Sequence, residues 1–412
     1  KALIVSTDLI RPEDTQISIS VANLLCTLKN ANSYGKKFTV EHFSVNIYEN
    51  KGVQPEQILN ELEKKYNLNN FDFIFLSCYA WSEYLIKPLI ALLRRSNYRN
   101  AIGLGGYQID DSQSLDHEYP ECQIFISGYG EASLLKAILE EHTYPVILKE
   151  LPQLELLLSP YLSEEIPLHD AQPMVRMETL RGCPYRCSFC AHRDLAFNRV
   201  YLYPMERLLA EFSLFKQYNV QKINILDPVF NLGQRSIKLL EEMKRLDLQT
   251  LITLQTRFEN IKGKTGTKFL DVCSQLNVHL EFGVQSIHPV EYNAVNRPNK
   301  IEHITKVVRE LNRRKIDYEV SLIYGLPNQT YDSFRRSVDY FHRHGCSNVK
   351  SYPLMLLKGT ELYRQKSRYE FREKIVGEYR IPVVVASNSF SEEEWWKMHE
   401  MANGLLTCDR YL

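Results

Sequence analysis

The chain has 412 residues, of which 44% are hydrophobic and 24% charged, and its 50 basic and 50 acidic side chains cancel. This composition is ordinary for a soluble globular protein, and the length predicts two or three domains. The net charge of zero gives no sign of a surface built for nucleic acid, although it does not exclude a local basic patch. No apolar run is long enough to cross a bilayer, so no membrane anchor is predicted.

Short apolar runs alternate with amphipathic stretches through residues 1–143. Strands are predicted at 2–6, 38–45, 73–77, 101–105 and 123–127, and helices at 17–28, 55–65, 84–95 and 131–141. Such a series favours a buried parallel sheet with helices on both faces. We therefore predict an α/β domain of the doubly wound Rossmann or flavodoxin type, whose ligand would bind beyond the carboxyl ends of the strands.

Prolines punctuate residues 144–172, which we predict to be a linker between domains. A second alternating series fills residues 173–360, and a short α-rich extension follows at 361–412. Strands are predicted at 175–180, 222–226, 251–255, 279–284, 318–323 and 348–354, and helices at 205–218, 234–245, 268–275, 301–314 and 331–344. Six strands predict a partial (β/α)6 barrel of the TIM type, with its active site at the carboxyl ends of the strands.

The loop after the first barrel strand carries Cys183, Cys187 and Cys190 in a C-x3-C-x2-C pattern. Four thiolates would close a 4Fe–4S cluster, whereas three leave one iron open to a small molecule. A zinc site is the alternative, but it usually closes with a fourth ligand at short spacing, for which His192 is the nearest candidate. A disulfide is disfavoured because the number of cysteines in the loop is odd.

With Phe189 just before the third cysteine, the loop resembles that of the radical S-adenosylmethionine (radical SAM) superfamily. The resemblance implies that SAM chelates the open iron through its amino and carboxylate groups, near Phe189. An electron from the cluster then splits the sulfonium and releases a 5′-deoxyadenosyl radical. It also implies an electron donor such as flavodoxin or ferredoxin. Cysteines without paired spacing fit the reducing cytoplasm that such a cluster requires.

Polar residues at the ends of later strands resemble the SAM-binding positions of the family. Asp227 is the expected contact to the amino group, although many members have Gly-Gly-Glu where this chain has Asp-Pro-Val. Arg257 could pair with the SAM carboxylate, and Arg297 is a competing source of that arginine. The ribose or carboxylate contacts are expected from the fourth barrel strand, at Glu281, Gln285 and Ser286.

The first domain resembles the cobalamin-binding subclass through Phe75-Leu-Ser-Cys-Tyr-Ala-Trp81, Gly105-Gly106 and Gly128-Tyr-Gly-Glu131. It departs from that subclass where Tyr107 replaces the usual proline and Tyr129 the usual glutamate. Glycines at these ends would let the corrin ring approach the backbone. The absence of an Asp-x-His-x-x-Gly loop leaves Trp81 as the candidate to shield the lower cobalt face. The expected corrin-lining residues are Tyr79, Trp81, Gly105, Gly106, Tyr107, Gly128, Tyr129 and Gly130.

Together these resemblances predict a cobalamin-dependent methyltransferase acting on a small molecule or natural-product intermediate. A cobalamin-independent radical SAM enzyme, catalysing a rearrangement, an oxidation or transfer of another SAM fragment, is the alternative. A methylthiotransferase would need three N-terminal cysteines, but the sequences around Cys26, Cys78 and Cys122 do not match, and the tail is acidic at 392–394. The sequence identifies neither the substrate nor a catalytic acid or base.

Overall fold

The computed structural model describes residues 1–111, 114–192 and 198–408. The chain divides into two compact units. One comprises Lys1–Leu168, Leu357–Gly359 and Ile375–Ile381, and the other His169–Leu356, Thr360–Lys374 and Pro382–Leu412. The first unit therefore includes most of the segment predicted as a linker and two short pieces from the C-terminal part of the chain.

The first unit is built on one parallel six-stranded sheet in the order β2-β1-β3-β4-β5-β6. Its strands are β1 (Ala2–Asp8), β2 (Val40–Asn46), β3 (Phe73–Ser77), β4 (Ala101–Gly105), β5 (Ile124–Ile126) and β6 (Val146–Leu148). Its helices are α1 (Ile19–Lys29), α2 (Pro55–Lys65), α3 (Glu83–Arg95), α4 (Leu115–Glu118) and α5 (Gly130–Leu139). This is the predicted doubly wound fold, and β6 extends its sheet into the segment predicted as a linker.

Both faces of this sheet are covered by apolar helices. Leu3 and Val5 of β1 pack with α2 and α3, whereas Ala2 and Ile4 pack with α1 and α5. Because successive side chains of a strand point to opposite faces, a strand between two helical layers is apolar throughout. From β1 the strand order runs outward to β2 on one side and to β3 on the other. The crevice between β1 and β3 is therefore the switch point at which doubly wound sheets bind their ligands.

The second unit is built on another parallel six-stranded sheet, in the order β14-β13-β12-β11-β10-β7. The strands of this part of the chain are β7 (Val175–Met177), β8 (Leu180–Arg181), β9 (Tyr201–Leu202), β10 (Lys222–Ile225), β11 (Leu251–Thr256), β12 (Val278–Gln285), β13 (Asp317–Tyr324), β14 (Val349–Pro353), β15 (Arg372–Ile375) and β16 (Pro382–Ala386). Its helices are α6 (Met205–Gln217), α7 (Gly233–Arg245), α8 (Gly263–Cys273), α9 (Pro289–Ala294), α10 (Ile301–Arg314), α11 (Tyr331–Arg343), α12 (Glu361–Arg364) and α13 (Glu392–Cys408).

The edge strands β7 and β14 are not paired with each other in the described part of the chain, so the barrel is open. This confirms the predicted partial (β/α)6 form. The α13 helix packs against β14, β13 and β16, at the β14 edge, and buries Trp395 completely. Ser391 and Glu394 form the reciprocal capping hydrogen bonds that begin this helix.

The strand β12 shows how the half-barrel differs from a fully buried sheet. Its burial alternates residue by residue, with Leu280, Phe282 and Val284 fully buried under the helices. The intervening residues, including His279 and Glu281, are only partly buried and face the other side of the sheet, inside the barrel. In the described residues, no helix is long and apolar enough to span a membrane.

Candidate active site

The cysteine loop is fixed at its start by a glycine. Gly182 has a φ of +83°, and a Cβ there would lie 2.2 Å from the carbonyl oxygen of Arg199. Both the backbone angle and the close approach therefore require glycine. Further along, the Ser188 N–H donates to the Val295 carbonyl at 3.0 Å, and its own carbonyl accepts from the Leu362 N–H at 2.8 Å. The loop is held by backbone contacts on both sides.

The three thiols of this loop are free, and two of them, on Cys183 and Cys187, belong to residues only 8% exposed. Cys190 is partly buried. Among the described residues, these sulfurs do not form a group in which all atoms lie within 4.8 Å of one another. Ligands of one tetrahedral zinc with Zn–S bonds of ~2.3 Å would lie ~3.8 Å apart. At least one pair of these sulfurs is therefore more than 4.8 Å apart, farther than two ligands of one tetrahedral zinc would lie.

Burial raises the pKa of Cys190 to about 11 and also raises the pKa of Cys183. The nearby cations Arg257 and Arg297 oppose this shift at Cys183. Thiolates, not thiols, bind iron, so loading a cluster must release protons from this loop. The donor set and its cationic surroundings fit an iron–sulfur group.

Two buried arginines converge on the middle cysteine. The Nη1 atoms of Arg257 and Arg297 each lie 3.9 Å from the Sγ of Cys187. The Arg257 guanidinium also stacks 3.5 Å from the centroid of the Tyr185 ring, and its Nε donates to Glu259 at 3.2 Å. The sequence offered these arginines as competing candidates, but the fold brings both to the same sulfur.

Asn231 positions Arg257. Its Oδ1 accepts from the Arg257 N–H at 3.0 Å, and its Nδ2 donates to the Arg257 carbonyl at 2.9 Å. Tyr185 donates its hydroxyl to Asn260 at 2.7 Å. No role was predicted from the sequence for Asn231 or Tyr185. Asn231 follows the end of a predicted strand and Tyr185 lies between two of the cysteines, so their positions could have marked them. Their hydrogen-bond partners could not be read from the sequence.

Gln285 reaches Arg297 through a β-bulge. It has a φ of +68°, and the pairing register between β12 and β13 shifts between Gly283 and Gln285. A Cβ on Gly283 would lie 2.7 Å from the Gln285 Nε2, so the missing side chain makes room for the amide. Arg297 donates to the Gln285 Oε1 and to the Gly283 carbonyl. This part of the predicted SAM-binding set is therefore assembled around Cys187.

Asp227 lies elsewhere in the hydrogen-bond network. It is fully buried and accepts from the Thr179 N–H at 2.7 Å, the Leu180 N–H at 3.1 Å and the Thr179 hydroxyl. These bonds hold the break between β7 and β8, where the sequence predicted one continuous strand. Burial raises the pKa of Asp227 to about 7, against the effect of these donors. Its contact with SAM stays a prediction.

Ser286 is also engaged by its own chain. Its buried hydroxyl donates to Glu291 at 2.6 Å and accepts from the His288 N–H at 3.0 Å, at the start of α9. Phe189 is partly buried on the cysteine loop. The roles of Ser286 and Phe189 toward SAM likewise stay predictions.

On the inner face of the barrel, the predicted site residue Glu281 lies beside two charged residues, His279 and Glu319, that were not predicted from the sequence. The ligand-type atoms of His279, Glu281 and Glu319 lie within 4.8 Å of one another. Glu319 accepts from Lys350 at 2.5 Å and contacts the His279 Nε2 at 3.1 Å, so its charge is already balanced. Burial, and then the neighbouring Glu319, raise the pKa of Glu281. The carboxylate of Glu281 has no hydrogen bond in the described residues and is open to a ligand.

In the first unit, the β1–β3 crevice is floored by polar and aromatic groups. The Thr7 N–H donates to the Ser77 hydroxyl at 2.8 Å, and the Trp81 Nε1 donates to the Thr7 carbonyl at 3.0 Å. The Tyr79 and Trp81 rings stack with centroids 4.6 Å apart. Tyr107 stands beside them, 6.4 Å from the Tyr79 ring, and is 57% exposed. Three of the four predicted aromatic residues, Tyr79, Trp81 and Tyr107, therefore lie together.

Buried Asp8 at the end of β1 was missed by the sequence analysis. It accepts from the Ser18 hydroxyl at 2.7 Å and the Ser44 hydroxyl at 2.9 Å. The signal was an acidic residue two positions after the apolar run predicted as a strand. Its partners are Ser18, just before α1, and Ser44 in β2, which only the folded sheet brings together.

The glycines at the strand ends are not alike. A Cβ on Gly106, which has a φ of +110°, would lie 2.5 Å from the Cys78 carbonyl oxygen, so this glycine serves a backbone contact within the unit. The place of Gly106 in the corrin-lining set stays a prediction. Gly128, with a φ of +80°, has no atom within 4 Å of its Cβ position and is the open one. The Cβ position of Gly105 is near Ile126, and that of Gly130, which follows Tyr129, is near Leu24.

A C-terminal segment covers the region after β4. Lys358 donates to Glu118 at 2.7 Å and also contacts Glu83, while Gln108 donates to Glu83 at 2.6 Å. Although burial opposes the charge, the two carboxylates hold the pKa of Lys358 above its usual value. Next to it, a Cβ on Gly359 would lie 2.6 Å from the Asp110 carboxyl. No sequence pattern indicated this contact.

The three cysteines of the first unit do not form a second cluster site. Cys78 and Cys122 are buried in the core beneath α3, and the Cys26 Sγ lies 3.2 Å from the Ser163 hydroxyl. In the described residues, these three sulfurs do not come together. The methylthiotransferase alternative is not favoured.

Comparisons with known proteins agree with this geometry. Residues 177–341 match the model of the radical SAM superfamily. The chain is 25% identical over 302 residues to the cobalamin-dependent radical SAM methyltransferase TokK of Streptomyces tokunonensis, covering 65% of this chain and 44% of that protein. It is 22% identical over 300 residues to the 2-(S-pantetheinyl)-carbapenam-3-carboxylate methyltransferase of Streptantibioticus cattleyicolor, with the same coverage.

The fold as a whole has a solved counterpart. The radical SAM methyltransferase TsrM from Kitasatospora setae superposes with a TM-score of 0.69 at 14% identity, over 98% of this chain and 89% of that one. At this identity the likeness speaks for the fold alone. The chain spans less than half the length of the two curated relatives. The three-cysteine loop lies inside the matched region, so this part of the chain is a radical SAM domain.

Proposed function

We propose that this protein is a cobalamin-dependent radical SAM methyltransferase that acts on a small molecule. The observation that carries the proposal is the loop of three free cysteines, whose middle sulfur is flanked by two buried guanidinium groups at the carboxyl end of a half-barrel. When bound, the cluster and SAM supply one-electron cleavage, and cobalamin supplies a transferable methyl group. The chain's own residues bind and orient these groups.

Arg257 and Arg297 are the residues proposed to orient the SAM carboxylate. A guanidinium presents a planar fork of N–H donors that matches the two oxygens of a carboxylate. The ion pair between them is stronger in a buried site, because water is excluded. Gln285 holds Arg297, and Asn231 holds the backbone of Arg257. Glu281, with its open carboxylate deeper on the same strand, is proposed to accept hydrogen bonds from the ribose hydroxyls.

Cobalamin binding is supported by the platform of Tyr79 and Trp81 in the crevice of the doubly wound unit and by the named activity of TokK. Cofactor pockets of this fold use the same sheet edge. The Trp81 indole is already stacked and hydrogen-bonded. Exposed Tyr107 is therefore a better candidate than Trp81 to shield the lower cobalt face.

The proposed partners are a small-molecule substrate and a protein that donates single electrons. The free cysteines of the described chain suit a reducing compartment, so we propose a cytoplasmic location.

The test is anaerobic reconstitution with iron and sulfide, followed by absorbance spectra with and without hydroxocobalamin. We expect a cluster chromophore, one equivalent of bound cobalamin by equilibrium dialysis, and SAM-derived products when a reductant is added. A protein that holds a cluster and cleaves SAM but binds no cobalamin would leave the cobalamin-independent alternative in place.

A pair of glycine variants makes the cobalamin test specific. Gly128→Trp places a bulky side chain at the carboxyl end of β5, whereas Gly35→Trp does so before β2, at the opposite edge of the sheet. Both glycines have positive φ angles, +80° and +72°, with no atom within 4 Å of the Cβ position, so the backbone strain is matched. We expect Gly128→Trp alone to lose cobalamin while keeping its iron. Equal loss in both variants would contradict a site at this edge.

A further inference from the structure

A cleft of about 530 Å³ opens on the outer side of the half-barrel, between α8 and α10. It lies away from the barrel interior, since both helices pack on the outer face of the sheet. Its lining includes Ile261, Lys262, Leu270, Lys306, Arg313 and Arg314. None of the residues assigned above to cluster or SAM binding lines it.

The cleft is basic although the chain as a whole is neutral. Lysine and arginine contribute four cations to the lining, and Glu310 is the one carboxylate among these residues. Arg313 and Arg314 pair with Glu310, and Arg314 also pairs with Asp271 just outside the lining, so the excess positive charge comes from the two lysines. In the described part of the chain, Lys262 and Lys306 are exposed and have no ion pair, so they are available to a partner.

A short path of contacts joins this cleft to the cysteine loop. His303, in the cleft wall, contacts the Phe258 carbonyl through its Nε2 at 3.0 Å. Phe258 is bonded to Arg257, whose Nη1 lies 3.9 Å from the Cys187 Sγ. The single turn of 3-10 helix at Phe258–Asn260 therefore has the cleft on one side and a cluster ligand on the other.

From this arrangement we infer that the α8–α10 cleft is the docking surface for an acidic protein that carries single electrons. The inference rests on the proposed function, because it requires a resident cluster. In the step concerned, the reduced carrier loses one electron and the oxidised cluster gains it. No bond or proton is transferred.

Charge complementarity favours this occupant. A patch of one sign raises association rates by about 10–1,000-fold at low salt, and the gain disappears as salt screens it. Interfaces of electron-transfer partners are small, typically under ~1,200 Å², so a single cleft between two helices is sufficient. A partner bound here has the turn at Phe258–Asn260 between itself and Cys187.

The test compares two reductants on the reconstituted protein. The probes are a reduced acidic 2Fe–2S ferredoxin, and titanium(III) citrate as a reductant that needs no docking. The variant is Lys262→Glu/Lys306→Glu, and the control is Lys64→Glu, an exposed and unpaired lysine of α2 in the first unit. The readouts are the rate at which the cluster chromophore bleaches and the Kd for ferredoxin.

We expect the double variant to be reduced by ferredoxin at least about tenfold more slowly, with a raised Kd, and by titanium(III) at the wild-type rate. The control should behave as wild type, and salt should slow only the ferredoxin reaction. Unchanged ferredoxin kinetics in the double variant would overturn the inference, as would equal slowing with both reductants. A wild-type protein without a cluster chromophore would refute the proposed function, and the docking surface with it, before any carrier is added.

Discussion

The two parallel sheets of this protein are built from the same βα repeat, yet their strands differ. Every residue of β1 is buried, and its alternate side chains enter two apolar cores. In β12 only every second residue is buried, and the others carry His279, Glu281 and Gln285 into the barrel. A sheet covered on both faces can offer a ligand only its edge, whereas an open barrel offers a whole face.

The difference explains where the polar residues lie. In the first unit they gather at the carboxyl ends, at Asp8, Ser77 and Tyr79, because the faces of the sheet have no room for charge. In the second unit a column of polar groups runs up the inner face to Gln285, which reaches Arg297 beside Cys187. Substitutions in each unit can test this contrast.

The largest effect is expected at the cysteine loop. Cys183→Ala, Cys187→Ala and Cys190→Ala should each abolish the cluster chromophore and the bound iron, because each removes one of the three proposed protein ligands. Iron content and absorbance after anaerobic reconstitution measure this. The buried cysteines Cys273 and Cys346 are the controls, and an equal loss of iron in Cys273→Ala or Cys346→Ala would contradict a single three-cysteine site.

In the first unit, Lys358→Met should destabilise the protein by about 3 kcal/mol, because two carboxylates that share one buried ammonium would lose their counter-ion. Urea unfolding monitored by circular dichroism measures the change. Lys374→Met, at an exposed pair with Glu392, is the matched control and should leave the unfolding midpoint unchanged. The triple variant Lys358→Met/Glu83→Gln/Glu118→Gln should recover part of the loss, because the two unpaired charges are then removed.

In the second unit, Asp227→Asn should change how stability depends on pH. Folding raises the pKa of this carboxyl from 3.8 to about 7, so the folded state binds its proton more tightly than the unfolded state. The resulting stability is complete below pH 3.8 and is lost as the pH rises through about 7. Unfolding at a series of pH values should therefore show the wild type losing up to about 4 kcal/mol that the variant does not lose. Exposed Asp116→Asn should keep the wild-type profile.

The smallest effect is expected on SAM affinity. Arg257→Ala or Arg297→Ala should weaken SAM binding by about 1.5–3 kcal/mol, the value of a charge-assisted hydrogen bond. Calorimetry with the reconstituted protein measures it. Arg313→Ala, on the exposed surface of α10, is the control. Unchanged affinity in both buried variants would mean that these guanidinium groups serve Cys187 rather than the SAM carboxylate.

The sequence by itself determined the elements and the cofactor class. Apolar runs and helical periods predicted both sheets, because the strand pleat and the helix turn depend only on residues close together in the chain. The spacing of Cys183, Cys187 and Cys190 is likewise contained within eight residues. Differences at this level were small: the strand predicted at 175–180 divides into β7 and β8 where Asp227 binds the backbone.

Only the tertiary structure decided which side chains meet. Arg257 and Arg297 reach Cys187 across 70 and 110 residues of chain, and Lys358 reaches Glu118 across 240. It also decided that Gly106 faces a carbonyl while Gly128 is open, although the two look alike in sequence. Such partners depend on which strand ends become neighbours when the sheets form. That choice follows from burial summed over a whole domain, so no local pattern contains it.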